Sequence, residues 1–261
     1  MDTRNTTVAF KPVILIIAGT DSSGGAGVVR DIETATDLGV ATALAVTAVT
    51  AQTHNKVLQI GSVSSRLIAE QIKSAFSSNI ISAVKIGMSG TVQAIKAISS
   101  SLKKQYHVPI IFDPVLESSS KGRLWHGYHD DIHRAIVHDL LPMVTLITPN
   151  IAELAQLTVR KMATNEDQAI KQGKLLIAFG SRAVLVKGGH MKGDKATDHL
   201  LTKNLAPVRF SQKRINTTMR GTGCILATAI ASNLALGLPL YKSVGKAKKH
   251  VLHHLQRKIP Q

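Results

Sequence analysis

Four residues, Gly221-Thr222-Gly223-Cys224, stand directly before an apolar run from Ile225 to Leu236. Such a run predicts a helix, so the turn's backbone N–H groups gather at a helix N-terminus, where they and the helix dipole attract an anion. The common phosphate loops are not the explanation. Walker A requires Gly-x-x-x-x-Gly-Lys-Ser/Thr, which the chain lacks, and the dinucleotide fingerprint fails because Leu226 stands where its last glycine belongs. Phosphate chemistry at this turn therefore belongs to another class. Cys224 adds a thiol on the first helical turn, where the dipole and a cation such as Arg220 are expected to lower its pKa and make it a base or a nucleophile. The competing reading is an inert buried cysteine, the commoner fate of a lone thiol.

Three further groups have the right chemistry. In Asp21-Ser22-Ser23-Gly24-Gly25-Ala26-Gly27 the glycines let backbone approach a ligand closely, while Asp21 can cap, bind or turn the chain. Asn150 and Glu153 place an amide and a carboxylate three residues apart at a helix start, which suits a Mg²⁺-bound water or a phosphate and equally suits an ordinary helix cap. Lys187, closing an apolar run, can meet a nucleotide phosphate or lie on the surface. The chain holds 11 histidines without a metal-binding spacing, and neither a His-Glu-x-x-His nor a Gly-x-Ser-x-Gly motif. His253 and His254 are expected to be solvated.

These residues need elements to position them. Apolar runs at 13–18, 42–49, 83–86, 108–112, 143–147 and 183–187 predict strands buried on both faces, as in a parallel sheet. Segments 66–78, 151–157, 166–179 and 224–236 predict helices, as does a stretch beginning near Asp31; in 66–78, Ile68, Ile72, Ala75 and Phe76 share one face. Each strand is followed by turn formers or polar residues: Gly19-Thr20-Asp21, Gln52, Gly87-Met88, Asp113-Pro114, Thr148-Pro149-Asn150 and Gly188-Gly189-His190. In open parallel sheets that edge is where ligands bind. No linker or change of composition divides the chain, which predicts one α/β domain over 13–261 behind an N-terminal extension, 1–12.

Composition narrows the classes. Hydrophobic residues make up 44% of the 261, enough for a large core, and no stretch is long and apolar enough to span a bilayer. The start of the chain lacks a secretory pattern, and a lone cysteine precludes an internal disulfide, so a cytoplasmic protein is expected. The formal charge is +16, yet the basic residues are scattered and aromatics are only 3%, which argues against nucleic acid and membrane as partners. The densest basic stretch, 241–258, carries Lys242, Lys246, Lys248, Lys249, Arg257 and Lys258 beside Val244, Ala247, Val251, Leu252, Leu255 and Ile259 at helical spacing. It predicts a packing helix with a basic outer face.

Read in order, the motifs resemble the hydroxymethylpyrimidine/phosphomethylpyrimidine kinases of thiamine biosynthesis, in the ribokinase-like superfamily. The resemblance rests on Ile17 to Asp21 with Ser23 to Gly27, Thr47 to Gln52, Lys85-Ile86-Gly87-Met88, Asp113-Pro114-Val115, Thr148-Pro149-Asn150 with Glu153, Lys187 to His190, and Gly221 to Cys224. It implies a three-layer α/β/α sandwich with a mainly parallel sheet. The implied activity is transfer of the ATP γ-phosphate to a pyrimidine hydroxymethyl group and then to that monophosphate. By the same resemblance Gln52 hydrogen-bonds the aminopyrimidine edge, and Ala26, Met88 and Val115, with Gly19 and Asp21, line the acceptor side. Asn150, Glu153 and Lys187 serve ATP, while Glu153 and Asp113 serve Mg²⁺. Gly221 to Cys224 form the anion hole, and Cys224, which replaces the aspartate of sugar kinases, acts as base. Homodimers are common among such proteins, and a homodimer is expected. Two departures stand out. The loop Asn216 to Gly221, expected to approach the nucleotide, is one residue short and carries Arg220 for the usual histidine, and the chain stops at Gln261 without the usual glycine-rich tail, which would leave the adenine side open. The alternatives are a pyridoxal kinase of the same fold and a non-catalytic ligand sensor.

Overall fold

The computed structural model describes residues 11–105, 107–116, 129–189, 194–215, 217 and 219–257. Of the residues named above, His190, Asn216, Thr218, Lys258, Ile259 and Gln261, and most of the 1–12 extension, lie outside these.

Strand β1 (Val13–Ala18) shows how the sheet is covered. Successive strand side chains point to opposite faces, so Ile14, Ile16 and Ala18 enter one core and Leu15 and Ile17 the other. Burial on both faces is why the run is apolar throughout. The chain continues through α1 (Gly27–Asp37), β2 (Ala41–Val46), β3 (Ala48–Gln52), β4 (Val57–Ser62), α2 (Ser65–Ser78), β5 (Ile81–Ile86) and α3 (Val92–Leu102). Then come β6 (Ile110–Phe112), α4 (His129–Ala135), β7 (Leu146–Ile147), α5 (Ile151–Thr158), α6 (Glu166–Ala178) and β8 (Ala183–Lys187). A β9 (Lys195–Thr202) and β10 (Val208–Lys213) pair precedes α7 (Thr222–Ala235) and α8 (Leu240–Arg257).

The eight-stranded sheet has the order β10-β9-β8-β7-β6-β5-β1-β2. It is parallel from β8 to β2, and β9 runs antiparallel to both its neighbours. Residues of α1, α7 and α8 fill the core on one face, and those of α2 to α6 the core on the other. The mainly parallel α/β/α sandwich is thus as expected. After β1 the chain moves to β2 on one side and returns to β5 on the other, so a crevice opens beyond the carboxyl ends of β1 and β5.

Several boundaries differ from expectation. The run 42–49 is two strands: Thr47 donates its N–H to Ala18 O at 3.0 Å and its hydroxyl to Met88 O at 2.6 Å, and beyond it the chain leaves the main sheet to form a β3–β4 hairpin. Two consecutive β segments give one continuous apolar run, so the pattern hides the break. The strands expected at 108–112 and 143–147 shrink to 110–112 and 146–147, and a 3₁₀ turn, Leu141–Met143, occupies the start of the second. The helix expected near Asp31 begins at Gly27. In α8, Val244 and Ala247 are buried as expected, but Lys248 turns inward to Asp198 of β9 at 2.5 Å instead of joining the solvated face. His254 is likewise partly buried, against Asp37.

Candidate active site

The turn before α7 is built by close backbone approach. Gly221 is the N-cap of α7 with φ 77°, and a Cβ there would lie 2.5 Å from Gly25 O. Gly27, at φ 61°, opens α1, and its Cβ would lie 2.5 Å from Gly19 O. Only glycine meets both the positive φ and the contact. The Gly221–Cys224 turn and the Gly24–Gly27 turn are therefore held against each other, with helix N-termini at both.

Beneath Gly223 lies a charged cluster drawn from three strand ends. The Cβ position of Gly223 is 3.2 Å from Asp113 Oδ2 and 3.2 Å from Lys187 Nζ. Lys187 Nζ donates to Asp113 Oδ1 at 2.8 Å and lies 3.8 Å from Glu153 Oε2, while Thr148 Oγ1 donates to Asp113 Oδ1 at 3.1 Å. Burial alone would depress Lys187, but Asp113 and Glu153 outweigh it and hold the ammonium protonated well above its usual range. Asn150 caps α5: its Oδ1 accepts from Glu153 N at 2.9 Å, and Glu153 Oε2 accepts from Asn150 N at 2.7 Å. The Asn150–Glu153 pair is thus a helix cap, and the cap presents its carboxylate to Lys187.

Cys224 is buried and differs from expectation. Burial pushes its thiol up to about 11, Lys85 pulls the other way, Asp31 and Asp113 raise it further, and the Gly27 N–H hydrogen bond lowers it. Desolvation outweighs the helix dipole and the cations. The important cation is Lys85, not Arg220. Lys85, on β5, is fully buried; its Nζ donates to Asp31 Oδ2 at 2.6 Å, and Thr228, one helical turn after Cys224, donates to Asp31 Oδ1 at 2.7 Å. Burial would lower Lys85, but Asp31 overrides it, helped by Cys224 and Asp113, so the ammonium stays protonated. Burial pushes the Asp31 carboxyl up, and Lys85 and Thr228 pull it back in part. The sequence reading quoted Lys85 only as part of a motif and passed over Asp31 and Thr228. A lysine inside an otherwise apolar strand was the available signal.

The residues expected on the acceptor side lie under the β3–β4 hairpin. Thr50 Oγ1 donates to Thr20 O at 2.8 Å, and Ser22 exchanges hydrogen bonds with the Gln52 backbone at 2.8 and 2.9 Å, which pins the hairpin to the loop after β1. Met88 and Val115 pack there with Ala48, Val57 and Ile60, and the Cβ position of Gly19 is 3.0 Å from Met88 Sδ. Ala26 adjoins the same turn as N-cap of α1. Burial would raise Asp21, yet hydrogen bonds from Ser23 and the Gln52 side chain, with the Arg220 charge, hold it below its usual range. Gln52 Oε1 is buried without a hydrogen-bond partner among the described residues. The Arg220 side chain is engaged by the loop after β1 and by the hairpin turn. Nη2 bonds Asp21 Oδ2 at 3.1 Å, and Nη1 bonds Ser23 Oγ at 3.0 Å and Thr53 O at 3.1 Å.

Apart from Gln52 and its neighbours under the hairpin, the expected site residues converge on one cleft edge: an N–H turn for an anion, a lysine with two carboxylates, and a thiol. An α/β/α sandwich with a hairpin over that edge is the architecture of a ribokinase-like phosphotransferase acting on small molecules. Residues 21–261 match the family model described as phosphomethylpyrimidine kinase. A hydroxymethylpyrimidine/phosphomethylpyrimidine kinase of Rhizobium meliloti (strain 1021) is 39% identical over 92% of this chain and 88% of its own length. The solved phosphomethylpyrimidine kinase of Clostridium difficile 630 superposes with a TM-score of 0.80 at 33% identity, covering 94% of this chain and 99% of that one. An ADP complex of Bacillus subtilis pyridoxal kinase reaches 0.83 at 28% identity, covering 92% and 90%. The chain belongs to the phosphomethylpyrimidine kinase family.

Proposed function

We propose that the protein transfers the γ-phosphoryl group of ATP to 4-amino-5-hydroxymethyl-2-methylpyrimidine and then to its monophosphate, giving the diphosphate used in thiamine biosynthesis. The observation that carries this is the Gly221–Cys224 turn lying over Asp113 and Lys187, with the orphaned Gln52 carbonyl under the hairpin. Phosphoryl transfer asks for alignment and charge neutralisation more than covalent chemistry. In this reading the turn's N–H groups and Lys187 hold the transferring phosphate, and Asn150 and Glu153 face ATP. Gln52 Oε1 accepts from the pyrimidine amino group while Met88, Val115, Ala26 and Gly19 bound the ring.

Mg²⁺ suits the donor set, since it is held by one or two carboxylates plus substrate phosphates, and Asp113 and Glu153 share one ammonium here. Bound there, it would neutralise charge developing on the phosphates. Cys224 accepts the proton of the attacking hydroxyl. Because its thiol is held near 11, the basic form is a minor population at neutral pH, and Lys85 is the charge that keeps it accessible. Arg220, through Asp21 and Ser23, orders the acceptor loop against the anion turn.

We also propose one kinase domain over 13–261, on the undivided composition, a cytoplasmic location, on the lone cysteine and the start of the chain, and a homodimer, on family resemblance; among the described residues no helix is long and apolar enough to cross a membrane. Mass spectrometry of products from Mg·ATP with the hydroxymethylpyrimidine tests the reading: mono- and diphosphate are expected. Turnover of pyridoxal alone would favour the second reading, which the likeness to pyridoxal kinase motivates. No turnover of either would overturn the kinase reading.

A further inference from the structure

On the face of the sandwich that carries α1, α7 and α8, three metal-competent side chains meet outside the cleft. His250 and His254 are one turn apart on α8, and Asp37 is the last residue of α1. His254 Nε2 lies 3.1 Å from His250 Nε2 and 3.4 Å from Asp37 Oδ2, and one ligand atom from each of the three lies within 4.8 Å of the others. We infer that Asp37, His250 and His254 form a site for a borderline transition-metal ion of the Zn²⁺ type, which clamps the end of α1 to α8.

Hydrogen bonding alone serves this trio poorly. A single N–H on His254 Nε2 cannot point at both the His250 nitrogen and the Asp37 carboxylate, and if His250 donates instead, the His254 lone pair faces a carboxylate oxygen. A cation among the three uses all of their lone pairs. Two of the three spacings agree with that use: at Zn–N of about 2.0–2.1 Å, two ligand atoms at the tetrahedral angle are roughly 3.3 Å apart, close to the 3.1 and 3.4 Å made by His254, and the third pair lies within 4.8 Å. Histidines at i and i+4 share a helix face, the arrangement by which metalloprotease helices present two imidazoles to one zinc. Two imidazoles and one carboxylate select Zn²⁺ or its neighbours over Mg²⁺ and Ca²⁺, which prefer oxygen. The fourth position falls to water.

The surroundings permit the ion despite the basic chain. Burial holds both imidazoles below their usual pKa; His254, His253 and Arg257 add to this at His250, and Arg30, Arg257 and His253 at His254, against the pull of Asp37 on each, and metal binds the neutral form. Arg30, the nearest cation on α1, is engaged by Glu33 at 2.7 Å. The C-terminal end of α1 carries the negative pole of its dipole, which favours a cation beside Asp37.

The test uses the full chain, stripped with chelator and titrated calorimetrically with Zn²⁺, with Co²⁺ absorption reporting coordination. The wild type is expected to bind one ion through this site, with a tetrahedral Co²⁺ band. Outer-shell changes at metal sites already weaken binding about 10–100-fold, so His250→Ala and His254→Ala should each weaken it at least about tenfold and abolish the band. His253→Ala, an exposed neighbour, should leave both unchanged. Zn²⁺ should raise the melting temperature of the wild type but not of the two ligand variants. No Co²⁺ band in the wild type, or equal binding by the wild type and His254→Ala, would overturn the inference.

Discussion

Replacing Lys85 by methionine is the sharpest probe of how this site is held. The Lys85–Asp31 pair is fully buried, with 2.6 Å between Nζ and Oδ2, and Thr228 is the other donor to the carboxylate. Lys85→Met keeps the length of the side chain but strands the Asp31 charge. Breaking a buried pair from one side typically costs about 3–5 kcal/mol, whereas removing both charges is often near neutral. At about 2–4 °C per kcal/mol for a chain of this size, the variant should melt roughly 6–20 °C below the wild type. Lys85→Met/Asp31→Asn should recover much of that, with a coupling energy of about 1–3 kcal/mol. Function separates from stability in the double variant: it refolds the core but lacks the cation nearest the Cys224 thiol, so kcat stays depressed and its alkaline pH limb moves up. The pH dependence has a definite sign. Lys85 is protonated more firmly in the folded than in the unfolded chain, so its stabilisation is complete below the unfolded pKa of about 10.4 and disappears as pH rises further. Calorimetric melting of the wild type, Lys85→Met, Asp31→Asn and the double variant, with kcat–pH profiles, settles it. A Lys85→Met loss under about 2 °C, or a double variant no more stable than the single, would refute the claim that Asp31 is a buried charge compensated by Lys85.

Other consequences can be checked together. Cys224→Ser and Cys224→Ala should lower kcat by about 10²–10⁴-fold with little change in either KM, as loss of a general base does, and the fold should persist. Alkylation of the wild-type thiol should accelerate with pH toward an apparent pKa near 11, the value burial gives it; a midpoint below 9 would contradict the burial argument. Gly221→Ala should destabilise by more than about 2 kcal/mol and abolish turnover, because strain at positive φ adds to a 2.5 Å clash with Gly25 O. Gly39→Ala, at φ 74° with open space around it, should show only the backbone cost of about 1–2 kcal/mol and unchanged kinetics. Arg220→Ala removes three hydrogen bonds to the acceptor side and should raise KM for the pyrimidine several-fold while leaving KM for ATP unaltered.

The parallel half of the sheet was legible because burial on both faces writes uninterrupted apolar runs, and β1 and β8 match their expected bounds residue for residue. The hairpin was not, since β3 continues the apolar run of β2 and β4 (Val-Leu-Gln-Ile-Gly-Ser) is half exposed. Strands β9 and β10 carry Lys195, Asp198, His199, Arg209 and Lys213, whose polarity masks their alternation. Residue roles divide in the same way. The Gly221–Cys224 turn at the start of α7 was readable because glycines directly before an apolar helical run mark a helix start. The environment of Cys224 was not, because a thiol's pKa depends on what surrounds it in space.

That environment explains why the sequence signal misled on the thiol's pKa. A helix N-terminus lowers a thiol's pKa by a modest electrostatic term, whereas full burial raises it by a larger one, and only the fold shows that α7 is enclosed by α1, α8 and β5. Enclosure buries Gly221 and Cys224 and leaves Thr222 and Gly223 part-exposed. Desolvation of this kind strengthens the pull of N–H groups and an ammonium on any anion bound there, and by the same token it penalises a resting thiolate. Lys85, deep in β5 and anchored by Asp31, offsets part of that penalty without opening the turn to solvent. The lysine therefore belongs inside an apolar strand, where periodicity alone gives it no reason to be.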